Sequence, residues 1–282
     1  MSPELAPGTA LQAPPDPVYT AVFSGRRVEL HEQSQTFRVS RAGIALGEFL
    51  LAHATEEELR GRVLDLGTGS GAIAILLRAM GATSVSATDV SRVAVETARR
   101  NELLNFAAPE IDFRHGDLFD TGGGASGRVF DMVVFNPPGW RTPSRALKSR
   151  LDGLACALEA DAMFYGETLL LKFLLELPGR LAPGGRAIVG LNSLLGVRDV
   201  LQRLEDASAG TGRGIRHRVL HRVELPLLFY TDEWASVRGD LLQELADGAG
   251  RYGAQYVMRD QVLHWFYEIT EFTVVDADAL TR

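Results

Sequence analysis

The chain has 282 residues, of which 46% are hydrophobic and 23% charged, enough to bury the core of one α/β domain with a small appendage. Its net charge of −7 is opposite in sign to that expected of a chain that holds nucleic acid mainly by its phosphates. The single cysteine, Cys156, excludes an intramolecular disulfide and reads, between Leu154 and Leu158, as a small buried hydrophobe.

The N-terminus carries Glu4 rather than a basic region, and prolines break its apolar residues into short pieces. The most apolar stretch, Leu169 to Leu177, is interrupted by Lys172 and Glu176. Neither a signal peptide nor a membrane span is therefore expected, and the expected compartment is the cytoplasm.

Met1 to Pro17, with Pro3, Pro7, Pro14, Pro15 and Pro17, reads as a flexible arm. Residues 18–54 read as a hairpin turning at Ser24-Gly25, then a helix from Arg41 to Ala54 capped by Ser40. Repeating strand–helix units follow. Strands are expected over Arg62 to Leu66, Ser84 to Thr88, Ile111 to His115, Met132 to Phe135 and Arg186 to Leu191. Helices are expected over Gly71 to Met80, Ser91 to Leu104 and Thr168 to Leu177, with a glycine loop from Gly122 to Gly127. Such alternation implies a parallel sheet with helices on both faces.

The C-terminal third is less regular. A helix is expected from Val197 to Glu205, a loop from Ala207 to Gly214 and a strand from Arg218 to Tyr230. A helix from Asp232 to Leu245, a loop from Asp247 to Gly253 and a strand from Gln261 to Val275 complete the reading. Arg213, Arg216, His217, Arg218, His221 and Arg222 read as a solvated strand edge. The expected fold is α/β: a seven-strand Rossmann-like doubly wound sheet, mostly parallel with an antiparallel C-terminal strand, plus a small N-terminal extension. Residues 55–282 are read as its one large domain.

The strongest signal is Val63-Leu64-Asp65-Leu66-Gly67-Thr68-Gly69-Ser70-Gly71, an apolar strand running into a glycine turn that opens a helix. Gly67, Gly69 and Gly71 let the backbone turn tightly and a ligand approach it, with Thr68 between them. Asp65 precedes the turn, where it would repel a pyrophosphate and attract a cation such as the α-ammonium of an amino-acid-bearing cofactor. Asp89, followed by Val90, ends the next strand and can accept both hydroxyl hydrogens of a ribose. Asp117 follows the third strand and can accept from an adenine amino group, with Leu118 against the ring. Amino acid, ribose and adenine together describe S-adenosylmethionine (SAM).

After the fourth strand comes Phe135-Asn136-Pro137-Pro138-Gly139-Trp140. The Asn136 carbonyl and the backbone carbonyl of Pro137 can both accept from an N–H₂ group, aiming the nitrogen lone pair at a methyl carbon. The paired prolines stiffen the turn. Methyl transfer from a sulfonium is a direct displacement, so alignment supplies much of its rate.

Over about Arg41 to Leu191 the pattern resembles the class I SAM-dependent methyltransferases. The Asn-Pro-Pro segment is similar to the Asn-Pro-Pro-Tyr motif of the glutamine and adenine N-methyltransferases, and Phe37 to Leu51 resembles the cofactor-lid helix of the glutamine-modifying group. Here the fourth motif position is Gly139, so the aromatic wall is absent or moved to Trp140. Residues 141–166 form a long insertion expected to cover the substrate; Asp152, Glu159, Asp161 and Tyr165 are its candidate polar groups. Tyr165, ahead of a helix, can bond to an amine or serve as a half-buried anchor. Asn192 and Ser193 end the fifth strand on the same face. No metal-ligand spacing is evident.

The expected activity is N-methylation of a small-molecule amine or amide by SAM, with no nucleic-acid or membrane partner. Three alternatives remain beside it. The enzyme cyclises SAM itself to azetidine-2-carboxylate and methylthioadenosine, it methylates a protein glutamine, or it binds SAM without catalysis.

Overall fold

The computed structural model describes residues 16–32, 38–121, 127–154, 163–208, 213–229 and 232–276. The N-terminal arm up to residue 15, the glycine loop at 122–126, and Cys156, Glu159 and Asp161 lie outside these residues.

Strands β1 (Val18–Phe23) and β2 (Arg26–His31) pair as a hairpin. Its tip, Ser24 and Gly25, takes positive φ at both positions, the geometry that matches the strand twist. Ala21, Phe23, Val28 and Leu30 form the buried face. Helix α1 (Arg41–His53) starts at Ser40, whose hydroxyl accepts from the Gly43 amide. Gly47 lies where a Cβ would stand 2.3 Å from the Phe23 ring, so the hairpin docks directly on α1. A short α2 (Glu56–Arg60), unforeseen in the sequence, carries a Thr55–Glu58 capping box.

The sheet begins with β3 (Arg62–Leu66), followed by α3 (Ala72–Ala79), β4 (Ser84–Asp89), α4 (Arg92–Asn105), β5 (Asp112–His115) and β6 (Phe130–Phe135). Next come α5 (Arg145–Asp152), α6 (Gly166–Glu176), β7 (Leu181–Asn192), α7 (Val197–Ser208) and β8 (Arg213–Pro226). The chain ends in α8 (Asp232–Ser236), α9 (Arg238–Tyr252), β9 (Tyr256–Arg259) and β10 (Val262–Asp276). The strand order is β5-β4-β3-β6-β7-β10-β8, with β9 on β10. The β3–β4, β4–β5, β3–β6 and β6–β7 pairs are parallel, whereas β10 runs antiparallel to β7 and β8. The expected sheet is therefore present, with β9 as an additional strand.

Strand β3 is buried from Val63 onward because helices cover both faces. Val63, Ile75, Leu76, Val85 and Val95 lie in the cluster on one side, and Leu64, Leu66, Phe135, Phe173 and Leu174 in that on the other. At the sheet's end, Arg218 and Arg222 of β8 pair with Glu271 and Glu268 of β10, so the basic segment is an ion-paired edge.

Two differences from the sequence reading lie near the site. The stretch expected as a loop, Asp247 to Gly253, continues α9 to Tyr252. Gly248 is compatible with helix there because Tyr252 lies over it: a Cβ on Gly248 would stand 2.1 Å from the phenol oxygen. The insertion expected to cover the substrate contains α5, whose Leu147 and Leu151 pack with Phe164, Trp234, Val237 and Leu241. Between β8 and β10 the chain leaves the sheet, forms α8, α9 and β9, and returns; the Leu227 amide donates to the Leu263 carbonyl at 2.7 Å.

Candidate functional site

The strand order changes direction around β3, whose neighbours are β4 and β6, and ligands of open parallel sheets bind beyond the carboxyl ends at such a point. The glycine turn sits there. Gly67, Gly69 and Gly71 all take positive φ, which L side chains disfavour. The third glycine also meets α4: a Cβ on Gly71 would stand 2.9 Å from that of Ala98. A Cβ on Gly69 would meet nothing within 4 Å, so this part of the turn is open to a ligand.

Asp65 lies beneath the turn, only 4% exposed. Its Oδ2 accepts from the Thr68 hydroxyl at 2.6 Å and the Ala74 amide at 3.1 Å. Burial pushes its carboxyl up to about 7, against the lowering effect of those two donors. Where the sequence reading expects a contact with a cofactor ammonium, the Oδ2 of this carboxylate braces the turn.

Asp89, at the end of β4, accepts from the Gly69 amide through Oδ2 and from the Ser91 amide through Oδ1, both at 2.8 Å. Burial raises its pKa, while the amides of Ser91 and Gly69 act in the opposite direction. Val90 beside it is 69% exposed and presents an aliphatic surface at the strand end. The Gly116 amide donates to the Asp89 carbonyl, bringing Asp117 into the same row. Asp117 pairs with Lys172 of α6 at 2.6 Å and stays half-exposed. Leu118 differs from expectation: it is buried with Phe119 and Phe130 in the core, because its positive φ turns the chain there. Open Gly69, partly exposed Asp89 and Asp117, and exposed Val90 are consistent with a nucleoside bearing an amino acid.

Asn136 follows β6, half-buried, and Pro137 is buried. The Tyr267 hydroxyl of β10 donates to Asn136 Oδ1 at 2.8 Å, a partner that sequence reasoning missed. The rest of the loop is clamped to the start of α6. The Trp140 amide donates to the Met163 carbonyl at 3.0 Å, and the Gly166 amide to the Trp140 carbonyl at 2.8 Å. Buried Glu167 accepts from the Thr142 amide. Gly166 is required by close approach: a Cβ there would stand 2.1 Å from the Pro138 carbonyl oxygen.

The remaining expected residues divide. Trp140 packs between two apolar clusters, with Phe164 at 6.1 Å, and so serves packing rather than forming an open aromatic wall. Tyr165 precedes α6 at positive φ and packs against the α5 cluster. Asn192 abuts the motif: a Cβ on Gly139 would stand 2.5 Å from its Nδ2, so this side chain fills the space next to the fourth motif position. Its Oδ1 accepts from the Leu194 amide. Ser193, expected on the substrate face, has its hydroxyl engaged within the fold. Its hydroxyl donates to the Gln255 carbonyl and accepts from the Phe266 amide, and the residue is buried. Asp152 ends α5 in an exposed pair with Lys148. Among the described residues no His/Cys/Asp/Glu group is placed to hold a metal, and no helix is long and apolar enough to cross a membrane.

Residues 28–147 match the Methyltransferase small domain family. A Methanocaldococcus jannaschii protein, provisionally named protein N5-glutamine methyltransferase, is 31% identical over 144 residues, which cover 51% of this chain and 68% of that protein. The release factor glutamine methyltransferase of Neisseria gonorrhoeae is 38% identical over 125 residues, 39% of this chain and 44% of that enzyme, so the chain spans less than half of this relative's length. A Streptococcus mutans protein provisionally described as a SAM-dependent methyltransferase shares the fold, with a TM-score of 0.51 at 13% identity, over 91% of this chain and 56% of that one. With its sheet, glycine turn and strand-end carboxylates, the chain belongs to the SAM-dependent methyltransferases of the methyltransferase small domain family.

Proposed function

We propose that this enzyme methylates the nitrogen of a carboxamide, the side chain of a glutamine in a protein. The observation that carries this reading is Asn136, a carboxamide at the end of β6 whose loop is clamped by Trp140, Gly166 and Glu167. The names of the relatives from M. jannaschii and N. gonorrhoeae support a protein glutamine above the small-molecule acceptor expected from sequence.

SAM supplies an electrophilic methyl group on a sulfonium. Asn136 Oδ1 and the Pro137 carbonyl would accept the acceptor's N–H groups and direct the nitrogen lone pair. As the N–CH₃ bond formed, the methyl–sulfur bond would break to leave a neutral thioether, and the nitrogen would give up one N–H proton to solvent. Pro137 and Pro138 lack N–H groups that would compete for the acceptor. A carboxamide nitrogen is a weak nucleophile, so fixed alignment and exclusion of water contribute most of the rate.

A small-molecule acceptor is the second reading. It is favoured by the apolar cover that Leu147, Leu151, Phe164 and Trp234 build beside Trp140. The test is incubation with SAM and a purified bacterial release factor, followed by mass spectrometry of its glutamine-containing peptides. One added methyl on a glutamine supports the proposal. Methylation of free amines or amides with an untouched release factor would replace it with the second reading. Methylthioadenosine from SAM alone would establish cyclisation instead.

A further inference from the structure

We infer that Tyr267 is a positioning residue that acts through Asn136, holding its carboxamide with the oxygen toward the phenol. The inference rests on the reading of Asn136 as the group that orients the acceptor.

Tyr267 lies on β10 opposite Asn192 of β7, and its side chain reaches past β7 to the end of β6. The crossing is possible because β7 carries Gly190, where a Cβ would stand 1.7 Å from the phenol oxygen. Trp265, edge-on at 6.1 Å, backs the ring. Tyr267 is 2% exposed, and Asn136 Oδ1 is the partner its hydroxyl has among the described residues. Burial pushes its pKa well above the ordinary phenol value, so the proton stays on the oxygen.

A buried O–H requires an acceptor. If the Asn136 carboxamide turned over, its Nδ2 would donate to the phenol oxygen and leave the phenolic proton without a partner. The neutral phenol therefore selects one of two orientations that are nearly identical in shape. In the selected one, Asn136 keeps one free lone pair on Oδ1 and the two hydrogens of Nδ2. An acceptor lone pair next to an N–H donor complements a second carboxamide, which offers N–H and C=O side by side. A free amine engages only the lone pair. Tyr267 thus favours a carboxamide acceptor without touching it.

Tyr267→Phe removes the hydroxyl and keeps the ring. Two measurements on the full chain test the inference. The first is the NMR signal of the Asn136 side-chain NH₂ pair, assigned by its loss in Asn136→Ala. Tyr267→Phe should shift or broaden this pair while leaving the SAM Kd within about twofold. The second is turnover with a release factor. Tyr267→Phe should lower kcat by about tenfold or more, whereas Asn136→Ala and the double variant should be equal within about twofold. An unmoved NH₂ pair overturns the inference, as do losses that multiply in the double variant. If no release factor is methylated, the acceptor assignment fails, and the NH₂ signal still decides the role of Tyr267.

Discussion

The Asp89 carboxylate accepts the Gly69 amide at 2.8 Å, which ties the glycine turn to the neighbouring strand end. Removing it costs the turn one brace and, on the proposal that Asp89 holds the cofactor ribose, removes that acceptor as well. Asp89→Ala should weaken SAM binding by about 1–3 kcal/mol, measured by titration calorimetry. An unchanged Kd would remove Asp89 from the cofactor site.

Asp65 sets a pH dependence with a definite sign. Its folded pKa of about 7 lies above the ordinary carboxylate value of 3.8. Through that window the folded chain keeps a proton that the unfolded chain releases. The associated stability is present at low pH and lost as pH rises toward the folded value. The unfolding midpoint of the SAM-free protein should therefore carry a component that falls between about pH 4 and pH 7. Asp65→Asn keeps an acceptor for Thr68 and Ala74 and should remove that component. An identical pH slope in the variant would show that Asp65 does not titrate there.

Gly190→Ala places a methyl group in the path of the Tyr267 phenol, 1.7 Å from its oxygen. Strand β7 is paired on both sides, so it has little freedom to move away. The expected loss is about 1–3 kcal/mol by urea denaturation, as for other overpacked cores. Full stability would mean that the ring has another place to go.

Arg78 and Glu102 meet at 2.7 Å with side chains 11% and 1% exposed. The same Glu102 oxygen accepts the amides of Glu110 and Ile111, and Arg78 lies over the Phe106 ring. Arg78→Met strands a buried carboxylate and should cost about 3–5 kcal/mol. Arg78→Met with Glu102→Met should recover part of that loss. A double variant that is worse than the sum of its parts would contradict the ion-pair account.

The cofactor half was legible in the sequence because its determinants are local: an apolar strand, a glycine turn and a helix opening follow one another from Val63 to Ala72. The acceptor half depends on distant contacts. Helix α5 escaped notice because it has eight residues and buries only Leu147 and Leu151. The glycines of α9 resemble breakers until Tyr252 is seen lying on one of them. Tyr267 sits 131 positions from Asn136, and only antiparallel pairing across β7 brings them together. Ser193 shows the converse, since a strand-end position predicts a site residue while its hydroxyl is already committed to Gln255 and Phe266.

The return from β8 to β10 passes through α8, α9 and β9, and is closed by the Leu227–Leu263 backbone hydrogen bond. Trp234, Val237 and Leu241, which cover Trp140 and α5, all come from this one stretch. Part of the cover over Trp140 and α5 is thereby gathered into one excursion whose two ends already touch, while Asn136 and Tyr267 stay with the sheet.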